Sequence, residues 1–395
     1  MKRRSLLPLV ALFSVLCIVA CRQENRASQS VIFGQADDVS AAEDYDLEDV
    51  QAAGELIAVT LSGPDTYYEY RGQGFGLQFS LAQAFANSIG ARLRMEMAPD
   101  TAQLLERLSS GEVDLVAFEM DSLQLDADLL RLPNGWVARS ASSQLVDAVQ
   151  RWWRPALREQ LLAAEQARKA PANRVRRSMR PAMLSRSSGT ISHYDDHFIR
   201  AAQRIGWDWR LLAAQCYQES GFDPQALSWA GACGLMQIMP STGERLGLSR
   251  SDLYDPARNI EAAARYIAQL NSTFSDIGNS HERIYFILAA YNGGAGHIRD
   301  AMALAQAAGR SAERWSEVEP YVLALSSPAT YRSPLVKFGY LRGEETVDYV
   351  RQIRNRWAAY RGAARPHSTG RQPSSSGTQP SRVRSRSEFL NDTIR

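Results

Sequence analysis

CYQESGFDPQALSWAGACGLMQIMP, residues 216–240, carries a carboxylate where helix periodicity expects an apolar side chain. Upstream, Trp207-Asp208-Trp209 opens a helix that the Asp208 carboxylate can cap. On that helix Leu212, Cys216 and Glu219 stand at i, i+4 and i+7 and so share one face. The first two point into a core; the stripe then ends in Glu219. A Glu at the end of a buried face loses hydration, which disfavours its charged form and raises its pKa. Such a group suits a reaction in which a leaving oxygen must be protonated, as in glycoside cleavage. Periodicity alone leaves the other reading open, since a Glu at a helix end is more often solvated.

Around this stretch, residues 191–360 read as almost pure helix. NIEAAARYIAQLNSTF puts Ile260, Ala264, Ile267 and Leu270 on one face, and HERIYFILAAYN does the same for Ile284, Ile287, Leu288 and Tyr291. Val347, Val350, Ile353 and Trp357 make a third stripe, with Tyr349 lying off it. Pro240 and Pro256 sit at expected helix first turns, and strand signals are absent. An all-α domain follows.

Residues 54–155 have a different rhythm. ELIAVTL (55–61), RLRMEMA (92–98), VDLVAF (113–118) and GWVAR (135–139) read as strands. LQFSLAQAFANSIG (77–90), TAQLLERLSSG (101–111) and SSQLVDAVQRWW (142–153) read as the helices between and after them. Strands alternating with helices imply a small α/β lobe with a parallel sheet. The chain of 395 residues, 45% hydrophobic, is long enough for two such cores.

The remaining segments are polar. The net charge of +2 points to no particular partner, but residues 31–50 hold seven acids and no Lys or Arg, whereas 151–190 hold ten Lys/Arg against two Glu. Neither block has the aromatic interleaving of a nucleic-acid site, so no nucleic acid is expected as a partner. The block at 21–53 reads as an acidic tether, 156–190 as a basic linker in which ALREQLLAAEQARKA can be helical, and 361–395 as a tail too poor in apolar residues to order itself. At the N-terminus Lys2, Arg3 and Arg4 precede an apolar stretch at 6–20 that is too short to span a bilayer, so 1–20 reads as a signal peptide. It ends Ile18-Val19-Ala20-Cys21, which resembles a bacterial lipobox with Cys21 as the lipidated residue. That resemblance implies a lipoprotein on the periplasmic face, and Arg22 after the cysteine favours the outer membrane over the inner. Cys216 and Cys233 then remain, able to pair in an oxidising compartment or to stay as buried thiols.

Within 54–155, Tyr67-Tyr68, Gly74-Phe75-Gly76 and residues 111–115 (GEVDL) resemble, in order, motifs of the type 3 periplasmic solute-binding family. Only residues 120–134 stand where that family inserts its second lobe, and its ligand-gripping Arg has no counterpart in the expected context. The lobe therefore reads as a truncated one with a scaffolding or substrate-positioning role. Gln218-Glu219-Ser220, then Gly234-Leu235-Met236-Gln237-Ile238-Met239-Pro240, then Ala290-Tyr291-Asn292-Gly293-Gly294, then Glu345-Thr346-Val347-Asp348-Tyr349-Val350 match in order the motifs of family 1 lytic transglycosylases. This second resemblance implies a goose-type lysozyme-like fold over 191–360 and peptidoglycan glycan strands as the partner, with other cell-wall enzymes as further partners. Glu219 would be the single acid/base that cuts the bond from N-acetylmuramic acid to N-acetylglucosamine and leaves a 1,6-anhydro end.

By the same resemblance Ser220, Gln237, Tyr291, Asn292 and Tyr349 line the sugar cleft. Each has a plainer role beside it: Ser220 ends a helix, Gln237 serves buried backbone, and Tyr291 packs in the core with its hydroxyl bonded. Asn292, with two glycines behind it, terminates a helix. Asp223 before Pro224 is a turn residue rather than a second catalytic acid. No cofactor is expected, and no metal: His193 and His197 are spaced i, i+4 but lack the Glu of a zincin. A lysozyme-like hydrolase of the same bond and a non-catalytic peptidoglycan-binding regulatory lipoprotein are the alternatives.

Overall fold

The computed structural model describes residues 45–120, 123–169, 175–176 and 181–363, all within one compact unit that begins at Tyr45. The signal segment, Cys21, most of the acidic stretch and the tail lie outside the described residues. In chain order the elements of the lobe are α1 (Leu47–Ala53), β1 (Glu55–Leu61), β2 (Tyr68–Tyr70), β3 (Gln73–Phe75), α2 (Leu77–Ser88), β4 (Arg92–Ala98), α3 (Thr101–Ser109), β5 (Leu115–Val116), β6 (Leu129–Arg131), β7 (Val137–Arg139), α4 (Ser143–Trp152) and α5 (Pro155–Lys169). A backbone pair follows between β8 (Val175–Arg176) and β9 (Leu227–Ser228). The helical part comprises α6 (Asp195–Ile205), α7 (Trp209–Ser220), α8 (Pro240–Arg245), α9 (Pro256–Thr273), α10 (Ser280–Gly293), α11 (Ala295–Ala307), α12 (Trp315–Ala324), α13 (Pro328–Tyr331) and α14 (Gly343–Ala363).

The lobe holds a five-stranded sheet in the order β4-β1-β5-β7-β6. β1 runs parallel to β4 from Glu55↔Arg92 to Leu61↔Ala98, and parallel to β5. Leu56 and Ala58 face a core with Phe85 and Trp136, while Val59 and Leu61 face a second core with Leu104 and Leu108. Burial on both faces explains why ELIAVTL is apolar throughout instead of alternating. The sheet is mixed where the sequence implied a parallel one: β7 is antiparallel to β5, and β6 to β7. The short β6–β7 connection allows only antiparallel pairing.

Two polar segments prove structured. In the acidic stretch Asp46 caps α1, and its carboxylate also accepts from the Gln144 and Leu145 amides at the start of α4, at 2.9 and 2.8 Å. Fully buried Val50 completes the docking, so the tether ends before Tyr45. In the basic stretch α5 belongs to the lobe, because Leu157, Leu161 and Leu162 pack on its core. Ser80 on α2 also donates to the buried Glu165 carboxylate at 2.8 Å. The two-residue β8–β9 pair escaped the strand reading because so short a ladder leaves no alternation.

In the helical part α7 packs between α6 and α14 and is buried along its length, from Leu211 to Cys216 and again at Glu219 and Ser220. Asp208 caps it at the Arg210 amide, 3.0 Å away, and accepts the Trp357 indole N–H at 2.9 Å, tying α14 to its start. The stripes on α9, α10 and α14 supply Ile260, Ile267, Leu288, Val350 and Ile353 to this core. Cys216 and Cys233 are both buried free thiols.

His297 on α11 is buried, with its ring edge-on to Phe338 at 6.0 Å between centroids. Burial pushes its imidazole down to about 4, against the Glu69 and Gly339 backbone nearby, which favours the charged form. The unfolded chain therefore takes up the proton first, near pH 6.5. Stability from this group is full above that pH and falls as the pH drops toward about 4. The loss should reach roughly 3 kcal/mol at its limit. Urea midpoints at pH 7.5 and 4.5 check this: His297→Gln should lose less stability between them than the parent.

Candidate active site

Glu219 lies in the last turn of α7 at 3% exposure, and both of its oxygens are occupied. The Tyr349 hydroxyl, from α14, donates to Oε1 at 2.6 Å. The Arg71 guanidinium, from the turn between β2 and β3, donates to Oε2 at 2.9 Å through Nη2. Burial and the Glu219 charge push the Tyr349 phenol well above its ordinary range, so it stays a donor. Burial pulls the Arg71 guanidinium down, but Glu219 beside it outweighs that and holds it well above its usual value. The carboxylate thus sits between a permanent hydroxyl donor and a permanent cation.

The chain after Glu219 is a loop whose backbone is anchored from several sides. Cys233 and Ile238 exchange both backbone hydrogen bonds, at 2.9 and 3.0 Å, enclosing residues 234–237 in a tight turn. Gly234 has φ +76, and a Cβ there would lie 2.1 Å from the Leu253 carbonyl oxygen. Asn259 on α9, fully buried, accepts from the Met236 amide at 2.7 Å and donates to the Cys233 and Leu253 carbonyls at 3.2 and 2.7 Å. The Tyr291 hydroxyl donates to the Met236 carbonyl at 2.8 Å. Gln237, at φ 49, spends its amide N–H groups on the Ala226 and Gly234 carbonyls at 3.1 and 2.9 Å.

The sequence-derived residues thus divide. Tyr349 touches Glu219 directly. Gln237 and Tyr291 line a cavity of about 80 Å³ beside Arg71, together with Met239, Thr242 and Tyr266. Ser220 is fully buried, its hydroxyl given back to the Cys216 carbonyl at 3.2 Å. Asn292 is 2% exposed at the α10–α14 contact, where its Oδ1 accepts from the Thr346 hydroxyl at 2.9 Å. Asp223 is buried in its turn and accepts from the Gln225 amide at 3.0 Å. His193 and His197 belong to no group of metal-ligating side chains among the described residues.

Sequence reasoning missed Arg71 and Asn259. The signal for Arg71 was present: Arg71-Gly72 separates Tyr-Glu-Tyr from Gln-Gly-Phe, the spacing of a two-residue hairpin turn. Nothing local announces its reach to a residue 148 positions away. Asn259 reads as one more polar residue at a helix start.

The chain is similar to known proteins over its helical part. Residues 196–313 match the family model of the transglycosylase SLT domain. A membrane-bound lytic murein transglycosylase F of Maricaulis maris (strain MCS10) is 40% identical over 171 residues, 43% of this chain and 37% of the relative. A membrane-bound lytic murein transglycosylase F 1 of Alkalilimnicola ehrlichii (strain ATCC BAA-1101 / DSM 17681 / MLHE-1) is 28% identical over 417 positions, 78% of this chain and 83% of that one. Among solved structures, the 70 kDa soluble lytic transglycosylase SLT70 of Escherichia coli matches at 26% identity and a TM-score of 0.29, over 43% of this chain and 24% of that one. The chain spans about a third to a half of the length of several curated relatives that it matches.

Proposed function

We propose that this chain, whose helical part carries a transglycosylase SLT domain, is a lytic transglycosylase of peptidoglycan. The observation that carries the reading is a buried carboxylate, Glu219, aimed by the Tyr349 hydroxyl at 2.6 Å. Among the described residues no second carboxylate bonds to this pair, and Asp223 accepts from the Gln225 amide in its own turn. Two-carboxylate glycosidases need a partner acid across the bond. One acid suffices if the sugar supplies its own nucleophile.

In the acid form, Glu219 gives its proton to the glycosidic oxygen between N-acetylmuramic acid and N-acetylglucosamine as the C1–O bond breaks. The muramic N-acetyl oxygen supports C1 from the opposite face. The Glu219 carboxylate then takes the proton of the muramic C6 hydroxyl while O6 bonds to C1. Carboxyl and proton are restored, and no water is consumed. Tyr349 holds the carboxylate in place throughout. Gln237, Tyr291, Ser220 and Asn292 belong to the walls of the sugar cleft in this reading, the last two by bracing it. Anchoring through a lipidated Cys21 at the periplasmic face of the outer membrane would hold the enzyme beside its polymer. This accords with the membrane-bound naming of its relatives.

Mass spectrometry of muropeptides released from purified sacculi tests the reading. Muramic ends that resist borohydride reduction are expected; reducible ends would make the chain a hydrolase instead. Tyr349→Phe keeps the ring and removes the hydroxyl. A hydrogen bond to a charged group contributes about 1.5–3 kcal/mol, so turnover should fall roughly 10- to 100-fold with KM little changed. Initial rates on sacculi over a range of concentrations check it.

A further inference from the structure

The proposed reaction leaves the β2–β3 hairpin unexplained. Its turn is formed by Arg71 at φ 53 and Gly72 at φ 75, the pattern of a type I′ turn. Glycine takes the left-handed region freely; an arginine there is strained. That strained residue is also the one inside the site. Its side chain is 11% exposed against 2% for Glu219, and Nη1 reaches the Gln237 carbonyl at 3.4 Å.

The preceding residue matches a second feature of the same surface. The Tyr70 ring stacks on Trp229 at 5.3 Å between centroids and 19° between planes. Its hydroxyl donates to the Glu345 carboxylate at 2.6 Å. The Arg342 guanidinium lies 5.6 Å from the Tyr70 ring and 5.8 Å from Trp229. A flat six-membered ring on an indole face, with a hydroxyl on a carboxylate at its edge, is the arrangement a pyranose adopts on an aromatic platform. The space left open beside Arg71 is about 80 Å³, below the 300 Å³ or more of a typical ligand pocket.

We propose that the β2–β3 hairpin is an intramolecular stand-in for the glycan strand. Tyr70 occupies the place of an N-acetylated sugar ring on Trp229, and Arg71 occupies the place of the reacting bond at Glu219. The proposal rests on the transglycosylase reading for the identity of the strand. In this conformation the carboxylate faces a guanidinium instead of a glycosidic oxygen, so the chain is latent. A further contact holds the hairpin in: Tyr68 packs edge-on against Tyr340 at 5.3 Å. Withdrawing the hairpin uncovers Glu219 and Trp229 together. Trp229 is then a positioning residue for the strand, one that none of the motifs includes.

The test uses the full chain and the soluble β-1,4-linked tetramer of N-acetylglucosamine, with binding read by calorimetry. Arg71→Glu sets a second carboxylate against Glu219 and should expel the hairpin; Arg71→Ala removes the ion pair without adding charge. Both should bind the tetramer at least 10-fold more tightly than the parent, and Trp229→Ala added to either should remove the gain. Release of muropeptides should rise at least 10-fold in Arg71→Ala. Circular dichroism melts identify a variant that fails to fold, and the other arginine variant then decides. Equal tetramer affinity in parent and folded variants, including no binding by any, would overturn the proposal. A gain in binding without anhydro products would retain the hairpin as a plug and remove the transglycosylase reading. Anhydro products at equal rates with equal binding would do the reverse.

Discussion

Glu219→Gln is expected to lower the release of anhydro-muropeptides by at least about 100-fold and up to about 10,000-fold, the range spanned by positioned acid–base groups. The upper part of that range is the expectation, because in the proposed reaction one side chain delivers the proton and then takes another. The amide keeps the shape of the carboxyl, and its oxygen can still accept from Tyr349, but it neither gives nor receives a proton. A second consequence separates this protein from an ordinary acid-to-amide variant. Glu219 is the counter-charge of Arg71, whose side chain is only 11% exposed. Breaking a buried pair from one side leaves a desolvated cation and costs roughly 3–5 kcal/mol. Glu219→Gln should therefore lower the melting temperature of the full chain by several degrees, and the same change in an Arg71→Ala background should not. A double-mutant cycle by thermal unfolding measures the difference. Equal melting shifts in both backgrounds would mean that the ion pair contributes nothing to holding the hairpin.

What the sequence disclosed followed from the range of the physics involved. β1 and β4 were legible to the residue because each is bounded by Gly or Pro and is apolar or alternating throughout. The stripe of Leu212, Cys216 and Glu219 was legible because helix periodicity is local, and all three are buried. β5 shrank to Leu115–Val116 because its far end meets β7 only at Val116↔Val137, a limit set by a neighbouring strand. α1 was hidden by its acids: what orders it is Asp46 reaching the start of α4, 98 residues on. The site divides the same way. Glu219 and Tyr349 stand within matched motifs, whereas Arg71 belongs to another lobe and matters only through contacts that folding creates. Ser220 shows the opposite limit, since its hydroxyl is consumed by its own helix.

Asn259→Ala is expected to destabilise the helical part by roughly 3–5 kcal/mol, a large share of the 5–15 kcal/mol that domains possess. The fully buried amide serves three backbone groups: the Met236 N–H and the Cys233 and Leu253 carbonyls. Each group left unpaired in a dry interior costs about 1–3 kcal/mol, and the vacated volume adds a cavity term. Gly234 lies so near the Leu253 carbonyl that even a methyl group there would collide, so the loop is closely packed around the Asn259 amide. Urea denaturation reads the loss. Asn259→Asp decides whether hydrogen bonding or volume is the cause. Asp matches Asn in size and keeps the acceptor for Met236, but it turns a second oxygen toward two carbonyls that need a donor. If the loop is held by this network, Asp should be at least as damaging as Ala, and both should reduce glycan cleavage as the Gly234–Gln237 turn loosens beside Glu219. If Asp is tolerated, the loop is held by packing alone, and the placement of Gln237 and Tyr291 around Glu219 must be credited to the core beneath them.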